Sequence, residues 1–270
     1  MRRRTFVCLG ASTLTCGCSG ALHRLPQVTD GRLQLAQNEV RDAGGSPQRR
    51  SVTDAEAADL LGSAVRRIRA PAEQLCREMA TGVCRWTFRA SPDRSLNAGA
   101  GPNGVIILNR GIVEFAANED EIALVAAHEV GHHAANHIAA TQRNQAMGAL
   151  IGALLLGAAG AYAARGTYSA GSTTRTAMDL GANAGGAIGR LSFSKEQERE
   201  ADYLAAVILY RADVNLDRAR GFLVTMARAS GRSETGMLDT HPAGPERVAA
   251  WDLAVAEIRE SKGRLPQRAA

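Results

Sequence analysis

Leu60, Leu61, Ala64, Val65 and Ile68 recur at intervals of three and four residues behind Thr53 and Glu56, a pair spaced as a capping box. The pattern predicts an amphipathic helix that ends or kinks at Pro71, with a second short helix running to Met79. From Val83 to Arg89 the period changes to two. Cys84, Trp86 and Phe88 face one way and Val83, Arg85, Thr87 and Arg89 the other, which predicts a half-buried strand. Ser91-Pro92-Asp93 and Gly101-Pro102-Asn103-Gly104 are turn sequences, and the second leads into the apolar run Val105-Ile106-Ile107-Leu108, a second strand. Asn118 followed by Glu121 marks the start of a helix carrying Ile122, Leu124 and Val125. Ser194 and Gln197 open another, carrying Glu198, Asp202, Leu204, Val207, Ile208 and Leu209, and further helical patterns begin near Asp217 and Pro245. The expected class is α+β, predominantly helical.

Three stretches lack this regularity. Residues 18–50 hold Pro26, Gly31, Gly44, Gly45 and Pro47 without sustained periodicity and read as a flexible tether. Ala146 to Ala164 carries no charge and is bracketed by Arg143 and Arg165, long enough to cross a bilayer. Gly148, Gly152, Gly157 and Gly160 interrupt it, which favours a buried helical hairpin or a membrane-grazing segment. Residues 166–191 are rich in Gly, Ser and Thr and read as a mobile loop. The roles open to residues 146–191 are a lid, a membrane contact or a partner surface.

Composition narrows the classes. With 45% hydrophobic residues, 22% charged residues and 28 glycines, neither a coiled-coil rod nor a disordered chain fits. The formal charge of +5 includes Arg2, Arg3 and Arg4, without which it is +2, and aromatics make up 4%. Nucleic acid is therefore excluded as the expected partner. The three arginines precede a short apolar run, Phe6 to Leu14, and then Thr15-Cys16-Gly17-Cys18, the plan of an export signal over residues 1–17. Gly17-Cys18 resembles a bacterial lipoprotein cleavage site, making Cys18 the candidate lipidated residue. Arg3-Arg4-Thr5-Phe6 also resembles a twin-arginine signal, so the export route stays open. Cys76 and Cys84 then remain as an even pair, a candidate disulfide in an oxidising compartment or else two buried thiols. The expected organisation is a signal peptide over 1–17, a tether over 18–50, a folded domain over 51–262 and a tail over 263–270.

The candidate chemistry is concentrated in His128-Glu129-Val130-Gly131-His132, inside the helix capped by Asn118. Residues four apart stack one turn apart on a helix face, so both imidazoles can meet one tetrahedral Zn²⁺. Glu129 stands beside them, free to act as a base on water. His133 and His137 repeat the spacing, but about 140° around the same helix. Neither is followed by Glu, and they read as helix-face or supporting histidines. A third ligand is needed. Glu196, Glu198, Glu200 and Asp202 crowd the helix opened by Ser194, and spacing alone does not choose among them, nor exclude a solvated acidic first turn.

His128-Glu129-Val130-Gly131-His132 followed by Glu198-Arg199-Glu200-Ala201-Asp202 and by His241-Pro242 resembles zinc metallopeptidase family 48, which includes the HtpX-type and CAAX prenyl endopeptidases. The resemblance covers about Ser51 to Ile258 and implies a zincin-like fold with a small sheet beside the active-site helix. It implies one Zn²⁺ per chain, held by His128, His132 and Glu198, with Glu129 as catalytic base and Asp202 holding a ligating histidine. His241 becomes a candidate for stabilising the oxyanion or for capping the zinc, and Arg247 for binding substrate or bracing the site. The strand Val105, Ile106, Ile107 and Leu108 resembles the family's strand beside the active site, where an edge would take up an extended peptide. Expected substrates are polypeptides, chiefly unfolded or misassembled envelope proteins. The branch resembled is periplasmic and soluble or lipid-anchored. A latent or chaperone-like envelope protein with a gated zinc site is the competing expectation.

Overall fold

The computed structural model describes residues 21–80, 84–164, 170–189, 193–229, 241 and 244–269. The expected export signal and Cys18 lie outside them. In chain order the elements are α1 (Asp30–Asp42), α2 (Asp54–Met79), β1 (Thr87–Ser91), β2 (Ala98–Ala100), β3 (Val105–Asn109), α3 (Arg110–Phe115), α4 (Glu119–Ala134), α5 (His137–Ala163), α6 (Ala170–Gly189), α7 (Lys195–Arg211), α8 (Leu216–Ala219), α9 (Gly221–Ala229) and α10 (Pro245–Ser261). The protein is mostly helical with one small mixed sheet.

Two helices form the centre. The Asn118 side chain caps α4 by accepting the Glu121 N–H, and from Asp120 to His132 the helix is buried on every face. A helix without a solvated side belongs in an interior. α7 starts at the capping box of Ser194 and Gln197 and is buried from Ala201 to Leu209. The two helices cross where Gly131 meets Ala201. A Cβ at position 131 would stand 2.8 Å from the Ala201 carbonyl oxygen and 3.0 Å from its Cα. Only glycine permits this approach. Gly131→Ala is expected to force the helices apart and destabilise the protein by about 1–3 kcal/mol, read from urea unfolding.

α2 packs on α4 and α7 and begins at the expected Thr53–Glu56 capping box. It does not end at Pro71. One continuous helix runs to Met79, because Ile68, Ala72, Leu75 and Met79 are all buried and outweigh the lost ladder bond. Cys76, near its end, is joined to Cys84 by a disulfide. α10 packs on α7, and Trp251 and Tyr203 fill the space between the outer helices and the core.

The sheet order is β1-β3-β2, with Thr87 opposite Val105 in the parallel pair and Ala98 opposite Leu108 in the antiparallel one. The expected first strand is shifted toward Ser91, and Val83 lies outside the described residues. Gly104, at φ +75°, turns the chain into β3 where a Cβ would stand 2.5 Å from the Arg85 carbonyl oxygen.

Two further expectations change. Residues 21–50 are not a bare tether. Thr29 caps α1, which turns Ala36 and Val40 against the core. Arg220 then clamps α1 to α10 through Glu39 and Asp252. At the other end the expected tail is ordered, with Leu22 to Arg24 pairing with Gln267 to Ala269. Nor are residues 166–191 a loop throughout, since α6 lies along α5. Gly157 and Gly160 make that contact possible, meeting Met178 and Ala177 where any Cβ would collide. The resulting hairpin is not buried. Met147, Leu150, Ile151, Leu154 and Leu155 are exposed along α5, a helix long and apolar enough to cross a membrane.

Candidate metal centre

α4 places His128 and His132 one turn apart, with their Nε2 atoms separated by 3.0 Å. The crossing at Gly131 brings α7 in so that Glu198 completes a triangle, Oε2 3.5 Å from His128 Nε2 and Oε1 3.3 Å from His132 Nε2. A tetrahedron built on bonds of about 2.0–2.1 Å has edges of about 3.3–3.4 Å. His241 Nδ1 lies 3.3 Å from His128 Nε2 and 2.9 Å from Glu198 Oε1, and the four ligand atoms lie within 4.8 Å of one another. Edge lengths and donor types therefore fit one tetrahedral divalent cation. Glu129 faces the same cluster. It is fully buried, and among the described residues neither of its oxygens has a hydrogen-bond partner. A buried carboxylate so placed is costly unless it meets a polar group.

The support behind the ligands is ionic. His128 Nδ1 lies 2.8 Å from Asp202 Oδ1. Arg247 grips Asp202 with Nε at 2.8 Å and Nη2 at 2.7 Å, and its Nη1 lies 2.8 Å from Glu198 Oε2. Burial opposes the charge on Glu198, but Arg247 and then His241 hold its carboxyl well below the usual range. For Asp202 burial acts the same way and is again outweighed, chiefly by Arg247. Burial drives the His132 pKa far down, keeping the neutral imidazole that ligates metals. At His241 burial also opposes charge, yet Glu198 and Glu129 raise its pKa.

Some expected site residues are elsewhere. Arg247 is 6% exposed with its guanidinium held by Asp202 and Glu198, an arrangement that fits the bracing alternative. Val105, Ile106 and Ile107 belong to β3, which is paired on both sides and offers no edge to a peptide. The strand that lies against both α4 and β3 at the margin of the sheet is β2. His133 and His137 do not share a helix face, because α4 stops at Ala134 and Asn136, at φ +61°, redirects the chain into α5.

Other contacts escaped the sequence reading. The Phe193 ring stacks on His132 with centroids 3.9 Å apart, and His137 is buried beside His132. Glu200 is buried as well. Burial disfavours its charge, but hydrogen bonds from His137 and His23 bring its pKa from 4.5 down to about 2. The stability this carries is complete above about pH 4.5 and lost as the pH falls toward about 2. In metal-free protein the gap in unfolding free energy between wild type and Glu200→Gln is expected to close across that window. A gap independent of pH would count against the pairing.

The family model described as peptidase family M48 matches residues 63–254, which takes in α4, α7 and His241. The chain belongs to peptidase family M48. It is 29% identical over 172 residues to the putative beta-barrel assembly-enhancing protease of Vibrio cholerae, a match covering 60% of this chain and 33% of that protein. It is 28% identical over 178 residues to the mitochondrial metalloendopeptidase OMA1 of Saccharomyces cerevisiae, covering 63% and 47%. With metalloprotease YcaL of Escherichia coli it shares 30% over 156 residues, covering 57% and 56%. The matches thus span about a third to just over half of the relatives' lengths. Membership of M48 agrees with the small sheet beside a helix bearing His128 and His132, and the cluster that could hold a metal ion lies inside the matched region.

Proposed function

We propose that this chain is a zinc-dependent endopeptidase acting on unfolded or misassembled polypeptides. The observation that carries the reading is the triangle of His128 Nε2, His132 Nε2 and the Glu198 carboxylate, with the Glu129 carboxylate beside it, free of hydrogen bonds among the described residues and 3.7 Å from His241 Nε2. Two imidazoles and one carboxylate with tetrahedral edges suit zinc among the common divalent cations. When bound by these three residues, Zn²⁺ supplies a Lewis acid that polarises the scissile carbonyl and lowers the pKa of water. Glu129 takes the proton of the attacking water and delivers it to the departing amide nitrogen. Asp202 fixes the His128 ring through Nδ1, leaving Nε2 to face the ligand cluster, and Arg247 holds Asp202 and Glu198 in place. A peptide adding to the β2 margin would run beside α4.

The setting is proposed on other grounds. The export-signal pattern of residues 1–17, the Cys76–Cys84 disulfide and the name of the Vibrio cholerae relative, a putative beta-barrel assembly-enhancing protease, favour the bacterial envelope, with Cys18 as a lipid anchor. Purified full-length protein loaded with one equivalent of zinc is expected to cleave unfolded casein, to stop on chelation and to recover with added zinc.

One observation favours a second reading, a latent enzyme. His241 Nδ1 lies 3.3 Å from His128 Nε2 and 2.9 Å from Glu198 Oε1, close enough to serve as a fourth ligand, and a site with four protein ligands would be closed to substrate. His241→Ala is then expected to retain zinc and to cleave casein faster than wild type. No cleavage by either protein would overturn the peptidase reading.

A further inference from the structure

Glu200 lies on α7 two residues beyond Glu198, hence on the far side of the helix from the ligand cluster. Its Oε2 is 3.0 Å from His137 Nε2, and His137 Nδ1 is 3.0 Å from His132 Nδ1. On its other flank Glu200 Oε1 is 2.5 Å from His23 Nδ1, and Oε2 accepts the Leu22 N–H at 2.9 Å. All four side chains are buried. If His132 ligates through Nε2, the atom facing His128 and Glu198, the protons along this row have a single consistent arrangement. His132 Nδ1–H donates to His137 Nδ1, and His137 Nε2–H donates to Glu200. The same carboxylate accepts from His23 Nδ1–H and from the Leu22 backbone. Every donor meets an acceptor, which is what a row built to hold one tautomer requires.

We propose that His137, Glu200 and His23 are positioning residues for the metal ligand His132, so that the N-terminal segment Leu22–His23 is an integral part of the metal centre. The inference rests on the metal site proposed above and extends it to a segment well ahead of the family-matched residues 63–254. Holding Nδ1 fixes the ring plane and tautomer of His132, which aims the Nε2 lone pair and raises its basicity. Asp202 does the same for His128 from the opposite side. The segment is itself secured. Arg24 N–H donates to the Gln267 carbonyl at 2.8 Å, Ala269 N–H to the Leu22 carbonyl at 2.9 Å, and Arg199 donates to the Pro26 carbonyl. Arg268 donates to the Met79 carbonyl at 2.5 Å, which anchors residues 267–269. Residues 22–26 and 267–269 thus lie together at the back of α7 and deliver His23 to Glu200.

A purely architectural role for the row, tying the N-terminus to α7, would leave metal binding unchanged. The test is Zn²⁺ affinity of the full-length protein by chelator competition, together with the visible absorption spectrum of the Co²⁺-loaded form. His137→Ala is expected to lose about 10–100-fold in affinity, and His23→Ala about tenfold. Both are expected to shift the Co²⁺ bands. Added imidazole should restore His137→Ala, and His23→Asn, which offers an amide N–H in place of the ring Nδ1–H, should bind as wild type does. Should His23→Ala fail to fold, His23→Leu fills the space without a donor and carries the same expectation. Wild-type affinity and unshifted Co²⁺ bands in the folded His137 and His23 variants would overturn the proposal. Failure of the underlying metal site is a separate result, since then the wild-type protein would not bind zinc either.

Discussion

Glu129→Gln is expected to hold zinc with wild-type stoichiometry and to cleave casein about 10²–10⁴-fold more slowly. The prediction separates base from ligand. Glu129 is next to His128 in sequence but is not among the four residues whose ligand atoms converge. Glutamine preserves shape and removes only the ability to take a proton. The position is fully buried, and its carboxylate oxygens lack hydrogen-bond partners among the described residues. Glutamine keeps the volume of the side chain, so the folded structure of the variant should be retained. Lost turnover with retained metal and fold is thus a signature that neither a ligand nor a packing residue would give. Zinc content by elemental analysis, thermal melting and casein hydrolysis measured on one preparation check it. Cleavage at the wild-type rate would mean that the base is elsewhere.

Arg247→Ala is expected to cost about 3–5 kcal/mol in metal-free protein, the typical result of stripping the partner from a buried charge. Here two carboxylates are stranded. Arg247 bonds both oxygens of Asp202 and lies 2.8 Å from Glu198 Oε2, with all three residues buried. Arg247→Lys should recover only part of the loss, since an ammonium supplies charge without the planar fork. Zinc supplies positive charge to Glu198, so the rise in stability on metal addition should be larger in Arg247→Ala than in wild type. Urea unfolding with and without zinc measures both effects. If Arg247 served substrate instead, its loss would spare stability and change only the kinetics of cleavage.

The elements that the sequence made legible are those whose causes are local. Thr53–Glu56, Asn118–Glu121 and Ser194–Gln197 each cap a helix as their spacing predicts, because the bonded groups are three residues apart. The metal pair His128 and His132 is equally local, one helical turn on one segment. Errors arose where a competing interaction came from far along the chain. Pro71 did not break α2, because the buried neighbours of that helix held it together. The polar residues 30–42 were not a linker, because Arg220 and the α10 surface supplied partners that the segment does not contain. Small residues in 170–189 read as loop, yet they let α6 lie close along α5.

The sequence by itself determined the helix starts and the placing of His128, Glu129 and His132 within one helical turn, and the resemblance pointed to Glu198 as the candidate third ligand. Only the tertiary structure decided that β3 is central in its sheet, that Arg247 pairs with Asp202 and Glu198, and that His241 lies beside His128 and Glu198. It also decided that His23, 177 residues from Glu200 along the chain, meets Glu200 behind the candidate metal centre. The division has a physical reason. Backbone periodicity fixes which side chains meet within one helical turn, whereas contacts across the chain depend on which buried charges and apolar faces find partners once the whole core has closed.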